Sequence, residues 1–334
     1  MTKVAVFGAG TWGTAFSTVL AAAGNQVSLW GRRDALCEAI NNTHENPDYL
    51  PGLRLPDAIT ATHDPSVAVE GAEAIVLAVP SQSLRENLTI WADVLPSAVP
   101  LVSLMKGVEL GTTKRMSEVI AELTGAGPER IAVVSGPNLA REIAEGQPAA
   151  SVVACADEGT ATRLQKLCHT QTFRPYTNND VIGCELGGAT KNVIALAVGM
   201  AVGLGFGDNA RASVITRGLV EIARLGRALG ADERTFSGLA GLGDLVATCT
   251  SPLSRNRTFG EKLGQGMTVA EIAGATRQVA EGVKSCTSIA ELARRHDVEM
   301  PIVEHVTRVV AGEMTPKDMV ISLVSRSAKS ERWG

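Results

Sequence analysis

The chain has 334 residues, a formal charge of −4, 45% hydrophobic and 20% charged residues, the balance of a globular protein of about two domains. It shows no basic block or basic helix face, so nucleic acid is not an expected partner, and no uninterrupted apolar run reaches the roughly 18 residues of a membrane span. A strand-like run opens the chain with no charged leader before it, and the six scattered cysteines form no C-x-x-C pair; the expectations are a cytoplasmic location, no zinc or redox motif, and small, buried, reduced thiols.

The first half alternates strands and helices. Residues 4–7 read as a short apolar strand, 14–23 as a helix with Gly24 where a C-terminal cap is needed, and 26–30 as a second strand. The uninterrupted apolar runs 74–79, 101–105 and 131–134 mark strands buried on both faces of a parallel sheet. Helical period fills 84–95 and 114–124, and 151–154 and 172–174 extend the sheet. From about residue 180 strand-like runs cease, and 181–202, 209–229, 283–296 and 302–310 carry the helical period. The expected fold is therefore α/β: a Rossmann-type, mostly parallel sheet over residues 1–179, followed by an all-helical domain over 180–334.

The turn after the first strand reads Gly8-Ala9-Gly10-Thr11-Trp12-Gly13. In this strand–turn–helix setting Gly8 allows the tight turn, Gly10 lets the backbone approach a pyrophosphate, and Gly13 lets helix and strand pack closely. The helix N-terminus offers N–H groups and a positive dipole end to that anion. The tip of the second strand chooses between nicotinamide cofactors: an acid holds a ribose 2′-hydroxyl, an arginine a 2′-phosphate. Here it reads Trp30-Gly31-Arg32-Arg33-Asp34. Two guanidiniums and no acid at the tip point to NADPH, and Asp34 keeps NADH open.

Three further places carry chemistry. Lys106, just past the run 101–105, stands where ligands bind in open α/β sheets; the alternative is a solvated loop lysine. Lys191 shares a helix face with Gly187, Gly188, Ile194 and Ala195. A lysine on an apolar stripe is readied for proton transfer by desolvation, or else snorkels from a partly buried helix. Asp244, followed by Ser254-Arg255-Asn256-Arg257, offers a carboxylate, hydroxyl, guanidinium and amide suited to a small phosphorylated, hydroxylated substrate, or to a helix cap and polar loop. Ser135-Gly136-Pro137-Asn138 is another strand-to-helix turn able to face an anion.

At these residues the chain resembles the bacterial NAD(P)-dependent glycerol-3-phosphate dehydrogenase family. The resemblance runs through the fingerprint turn, Ser135-Gly136-Pro137, Leu186-Gly187-Gly188-Ala189-Thr190-Lys191-Asn192, Ala240-Gly241-Leu242-Gly243-Asp244-Leu245 and Ser254-Arg255-Asn256-Arg257. It implies reduction of dihydroxyacetone phosphate to sn-glycerol 3-phosphate with NAD(P)H, feeding phospholipid synthesis, with no metal. Lys191 matches the family's proton donor and acceptor, and Lys106 a residue touching cofactor and substrate. Gly136, Asn138, Asp244, Ser254, Arg255 and Asn256 match substrate positions; Asn138 replaces the usual Ser or Thr. Thr11, in place of the usual Ser, and Trp12, Arg32, Arg33, Ala140, Arg255, Val279 and Glu281 match cofactor positions. The alternatives are a hydroxyacid dehydrogenase of the 6-phosphogluconate or hydroxyisobutyrate type and, more remotely, a non-catalytic dinucleotide sensor. A homodimer is the expected oligomeric state.

Overall fold

A computed structural model describes residues 1–275, 280–325 and 327. The chain divides into two compact units: Met1–Lys106 with Arg115–Cys184, and Gly107–Lys114 with the chain from Glu185 onward.

The first unit is built on ten strands: β1 (Lys3–Phe7), β2 (Gln26–Trp30), β3 (Glu45–Asn46), β4 (Leu50–Arg54), β5 (Ile59–Thr62), β6 (Ala74–Leu77), β7 (Leu101–Ser103), β8 (Ile131–Ser135), β9 (Ala149–Cys155) and β10 (Phe173–Asn178). Eight form one sheet in the order β10-β9-β8-β7-β6-β1-β2-β5. Every pairing in it is parallel except β8 with β9, so the mostly parallel Rossmann-type sheet is present. β3 and β4 form a separate antiparallel hairpin.

Alternation along β1 shows why both faces are buried. Val4 and Val6 point into one core with Phe16 and Leu20 of the helix Thr11–Ala22. Ala5 and Phe7 point into the other with Leu88 and Trp91 of the helix Leu84–Trp91. A strand covered on both sides has no polar face to show, hence the continuous apolar runs. The strands stop before those runs do: β6 ends at Leu77 and β7 at Ser103, and the residues beyond them form the loops at the carboxyl edge. The chain moves from β1 to β2 on one side and later to β6 on the other, which makes the β1/β6 edge the topological switch point where α/β sheets bind ligands.

The second unit is helical among its described residues. Its centre is the helix Val181–Gly203, buried from Gly183 to Ala201. By length and composition this helix could cross a membrane if Glu185 and Lys191 are tolerated, but 89% of its most apolar window is buried inside the fold. Glu185 and Lys191 interrupt its apolar residues, so no uninterrupted apolar run marks it in the sequence. The helix Arg255–Gly264 crosses it at backbone contact. A Cβ on Gly199 would lie 2.0 Å from the Arg257 carbonyl oxygen, and one on Gly260 2.1 Å from that of Leu196. Gly203 and Gly264 repeat the arrangement one turn along. The segment Gly107–Lys114 is tied to this unit: the Ser288 hydroxyl donates to the Val108 carbonyl at 2.8 Å, and Arg295 donates to the carbonyls of Gly111 and Thr112 at 3.1 and 3.0 Å.

Candidate active site

The fingerprint turn forms as its glycines require. Gly8 adopts φ +130°, and a Cβ there would sit 2.5 Å from the Ala78 carbonyl oxygen at the end of β6. A Cβ on Gly13 would sit 1.9 Å from the Gly8 oxygen, whereas Gly10 faces open space. The helix begins at Thr11 rather than at residue 14, because Gly10 is its extended N-cap and no side chain caps it. An anion is the natural cap for such an end. The buried Trp12 Nε1 has no partner among the described residues. Crowding at Gly8 and Gly13, openness at Gly10 and an uncapped helix end fit a dinucleotide pyrophosphate.

At the β2 tip, Arg32 is exposed and makes no ion pair among the described residues, while Arg33 pairs with Asp48. The Asp48 hydrogen bond, aided by its charge and by Tyr49, holds the Arg33 pKa above its ordinary value. Asp34 pairs with His63 Nδ1 at 2.7 Å. Sequence reasoning missed Asn46. It is fully buried, its amide donates to the Ala9 carbonyl and to Thr14 Oγ1, both at 2.9 Å, and its Oδ1 accepts from Tyr49 N–H at 3.2 Å. Asn46 thereby pins the fingerprint turn from the hairpin side.

Lys106 and Gly136 follow the adjacent strands β7 and β8, and Lys106 Nζ donates to the Gly136 carbonyl at 3.0 Å. Gly136 adopts φ +136°, with a Cβ there 3.1 Å from Ser151 Cα. The Asn138 amide donates to Ser151 Oγ at 3.2 Å, and that hydroxyl donates to the Ser135 carbonyl at 2.8 Å. Asn138 Oδ1 is buried without a partner among the described residues. Ala140 begins the short helix Ala140–Ala144.

The second unit holds a buried charged cluster. Gly187 meets the Ala240 carbonyl, where a Cβ would be only 2.4 Å away. This close approach brings the π-turn Leu239–Gly243 onto the long helix. Such turns re-aim side chains, often at functional sites, and this one delivers Asp244 at the start of the helix Asp244–Thr250. Lys191 is 7% exposed and Asp244 1%. Lys191 Nζ forms an ion pair with an Asp244 oxygen and donates to Thr248 Oγ1 at 2.6 Å. The carboxylate offsets the cost of burying the ammonium, and the hydroxyl adds a charge-assisted hydrogen bond. Thr248 was missed in the sequence, although its spacing of four from Asp244 places it on the same helix face. Beside it, burial pushes the Cys249 thiol up to about 12, with Lys191 opposing and Asp244 reinforcing.

The Ser254-Arg255-Asn256 run divides by role. Ser254 is buried and caps the helix Arg255–Gly264, accepting from Arg257 N–H at 3.2 Å. Arg255 is exposed at that helix's first turn. Asn256 is buried, donates to Asn192 Oδ1 and accepts from Gly282 N–H, both at 2.9 Å. It therefore ties three helices together at the start of the helix Glu281–Arg295, whose first residue is Glu281. Val279 lies outside the described residues. Among the described residues no group of three His, Cys, Asp or Glu is placed to hold a metal ion.

Comparison by sequence with known proteins identifies one family. Residues 3–161 match the model of the NAD-dependent glycerol-3-phosphate dehydrogenase N-terminus and residues 180–321 that of its C-terminus. A glycerol-3-phosphate dehydrogenase [NAD(P)+] of Thermobifida fusca is 64% identical over the full length of both chains. One of Corynebacterium glutamicum strain R is 58% identical over 99% of this chain and 100% of its own. A crystal structure of glycerol-3-phosphate dehydrogenase from Coxiella burnetii superposes with a TM-score of 0.93 at 38% identity, covering 97% of this chain and 99% of that one.

Proposed function

Because the chain belongs to the NAD-dependent glycerol-3-phosphate dehydrogenase family, we propose that it reduces dihydroxyacetone phosphate to sn-glycerol 3-phosphate with NADPH or NADH, with Lys191 as the proton donor. The product is the backbone of glycerophospholipids. The observation that carries the reading is the Lys191 ammonium, buried and clamped by Asp244 and Thr248.

The cofactor, when bound, supplies the hydride. The turn Gly8-Ala9-Gly10 and the uncapped helix beginning at Thr11 and Trp12 would hold its pyrophosphate. Arg32 and Arg33 would face its adenosine ribose, and NADPH would be favoured. Ala140, Val279 and Glu281 complete the cofactor set by their match to the family. On the substrate side, Lys191 donates its proton to the oxygen of the reduced carbonyl as negative charge develops there. A fixed positive charge at such an atom lowers the barrier, since it needs no reorganisation at the moment of reaction. Asp244 keeps Lys191 charged and aimed until the transfer. Lys106 adds a second cation held by the Gly136 carbonyl. Arg255, which makes no ion pair among the described residues, binds the substrate phosphate, while Ser254 and Asn256 hold its helix end in place and Asn138 adds an amide contact.

The hydroxyacid dehydrogenase alternative is not favoured by full-length relatives of one named activity. Six buried cysteines without disulfides support a cytoplasmic setting. The test is a steady-state assay with dihydroxyacetone phosphate and each reduced cofactor, run beside several keto acids. Oxidation of NADPH or NADH by the phosphorylated ketone is expected; its absence with both overturns the reading.

A further inference from the structure

We propose that Asp48, carried on the β3–β4 hairpin, sets the cofactor preference by restraining Arg33 and opposing a 2′-phosphate beside it; this rests on the reading that Arg32 and Arg33 face the adenosine ribose. The β2 tip carries no acid before Asp34, which pairs with His63, and Asp48 supplies a carboxylate to Arg33 from a different element. Its position is fixed. Two residues before it, buried Asn46 bonds to Ala9 and Thr14 in the fingerprint helix-turn. One residue after it, Tyr49 N–H donates back to Asn46 Oδ1 at 3.2 Å. Glu45 closes the hairpin, accepting from Gly52 N–H at 2.7 Å. The hairpin thus locks to the pyrophosphate turn and presents the Asp48 carboxylate to Arg33.

The two arginines are consequently unequal. Arg32 is exposed with no ion pair among the described residues, whereas Arg33 is engaged. The side chains of Arg33 and Asp48 are 52% and 37% exposed, and an ion pair that open is weak. A 2′-phosphate can draw Arg33 away, but only by bringing its own negative charge against Asp48. A 2′-hydroxyl meets no such repulsion and can donate to the carboxylate, as it does to the strand-tip acid of NAD-binding folds. Asp48 therefore moderates the NADPH bias that two adjacent arginines alone would produce.

The test is kcat and KM for NADPH and NADH in the full-length protein, with dihydroxyacetone phosphate saturating, at low salt and at about 1 M salt. In Asp48→Asn the ratio of kcat/KM for NADPH over NADH rises about three- to tenfold, through the KM for NADPH rather than kcat, as expected for a partly exposed charge. The gain shrinks at high salt, because the repulsion is screened. Asp48→Glu keeps the native ratio. Asp48→Ser reads the same ratio if the asparagine variant folds poorly. An unchanged ratio, or a shift towards NADH as though Asp48 aimed Arg33 at the phosphate, overturns the proposal. Inactivity of the unaltered protein with both cofactors instead overturns the functional reading beneath it.

Discussion

Lys191 Nζ donates to Thr248 Oγ1 at 2.6 Å, from the opposite helix to the one that carries both Thr248 and Asp244. Thr248 also donates to an Asp244 oxygen at 3.3 Å, so the hydroxyl braces both members of the ion pair. Thr248→Val should lower kcat about tenfold, the worth of one hydrogen bond to a charged group, with little change in the KM for cofactor. Thr248→Ser should restore most of the rate. Equal kcat for valine and wild-type proteins would remove Thr248 from the positioning role.

Lys191→Met should reduce turnover by roughly 10²–10⁴ while leaving cofactor affinity, read by fluorescence titration, near normal. It also leaves the Asp244 carboxylate buried without its ammonium, at about 3–5 kcal/mol. The double variant Lys191→Met/Asp244→Asn should therefore recover stability in urea unfolding without recovering activity. Recovery of activity would show that the lysine serves folding rather than proton transfer.

Neutralising the β2 tip with Arg32→Gln/Arg33→Gln should raise the KM for NADPH much more than that for NADH, because only the former carries the phosphate that guanidiniums bind. Initial-rate measurements with both cofactors give the comparison. Equal effects would assign both arginines to solvent.

Glu221 is buried on the helix Asp208–Ala228 and accepts from Ile302 N–H at 2.8 Å and Val303 N–H at 3.3 Å, at the start of the helix Pro301–Val310. Burial pushes its carboxyl up to about 7 from an ordinary 4.5; the two backbone N–H groups and Arg224 oppose the rise and Glu304 adds to it. Between those values the folded protein holds a proton that the unfolded chain has released. Stability should thus fall as pH rises from about 4.5 to about 7, by about 3 kcal/mol, and then level off. Urea unfolding at pH 5 and pH 8 checks this, and Glu221→Gln should flatten the dependence.

Gly199→Ala should destabilise the protein by about 1–3 kcal/mol or more, since its methyl would overlap the Arg257 carbonyl across the seam between the helices Val181–Gly203 and Arg255–Gly264. Thermal unfolding gives the loss. An alanine variant as stable as wild type would mean that the two helices can part without cost.

What was readable in advance depended on locality. The buried strands show as apolar runs, and the fingerprint turn shows because its glycines answer to a backbone path a few residues long. Lys191 was visible because a charge on a small, apolar stripe is unusual. β5 escaped notice because, at the sheet edge, only Ile59 and Ala61 are buried, while Thr60 between them is exposed and Thr62 is half-buried. Asn46 and Asp48 act through partners 32 to 37 and 15 residues away, and no local pattern records such pairings. The roles of Ser254 and Asn256 within the fold likewise emerge only when the helices around them are assembled.

The membership of Gly107–Lys114 in the helical unit has a consequence for dissecting this protein. A cut in the chain near residue 180 would yield a C-terminal fragment that has lost part of itself. Arg295 would be deprived of the Gly111 and Thr112 carbonyls, and Ser288 of that of Val108. Domain shuffling between relatives at that junction would graft a foreign strap onto the helix Glu281–Arg295. The two units are thus interleaved along the polypeptide, and the part of the chain after residue 180 does not hold the whole of the helical unit.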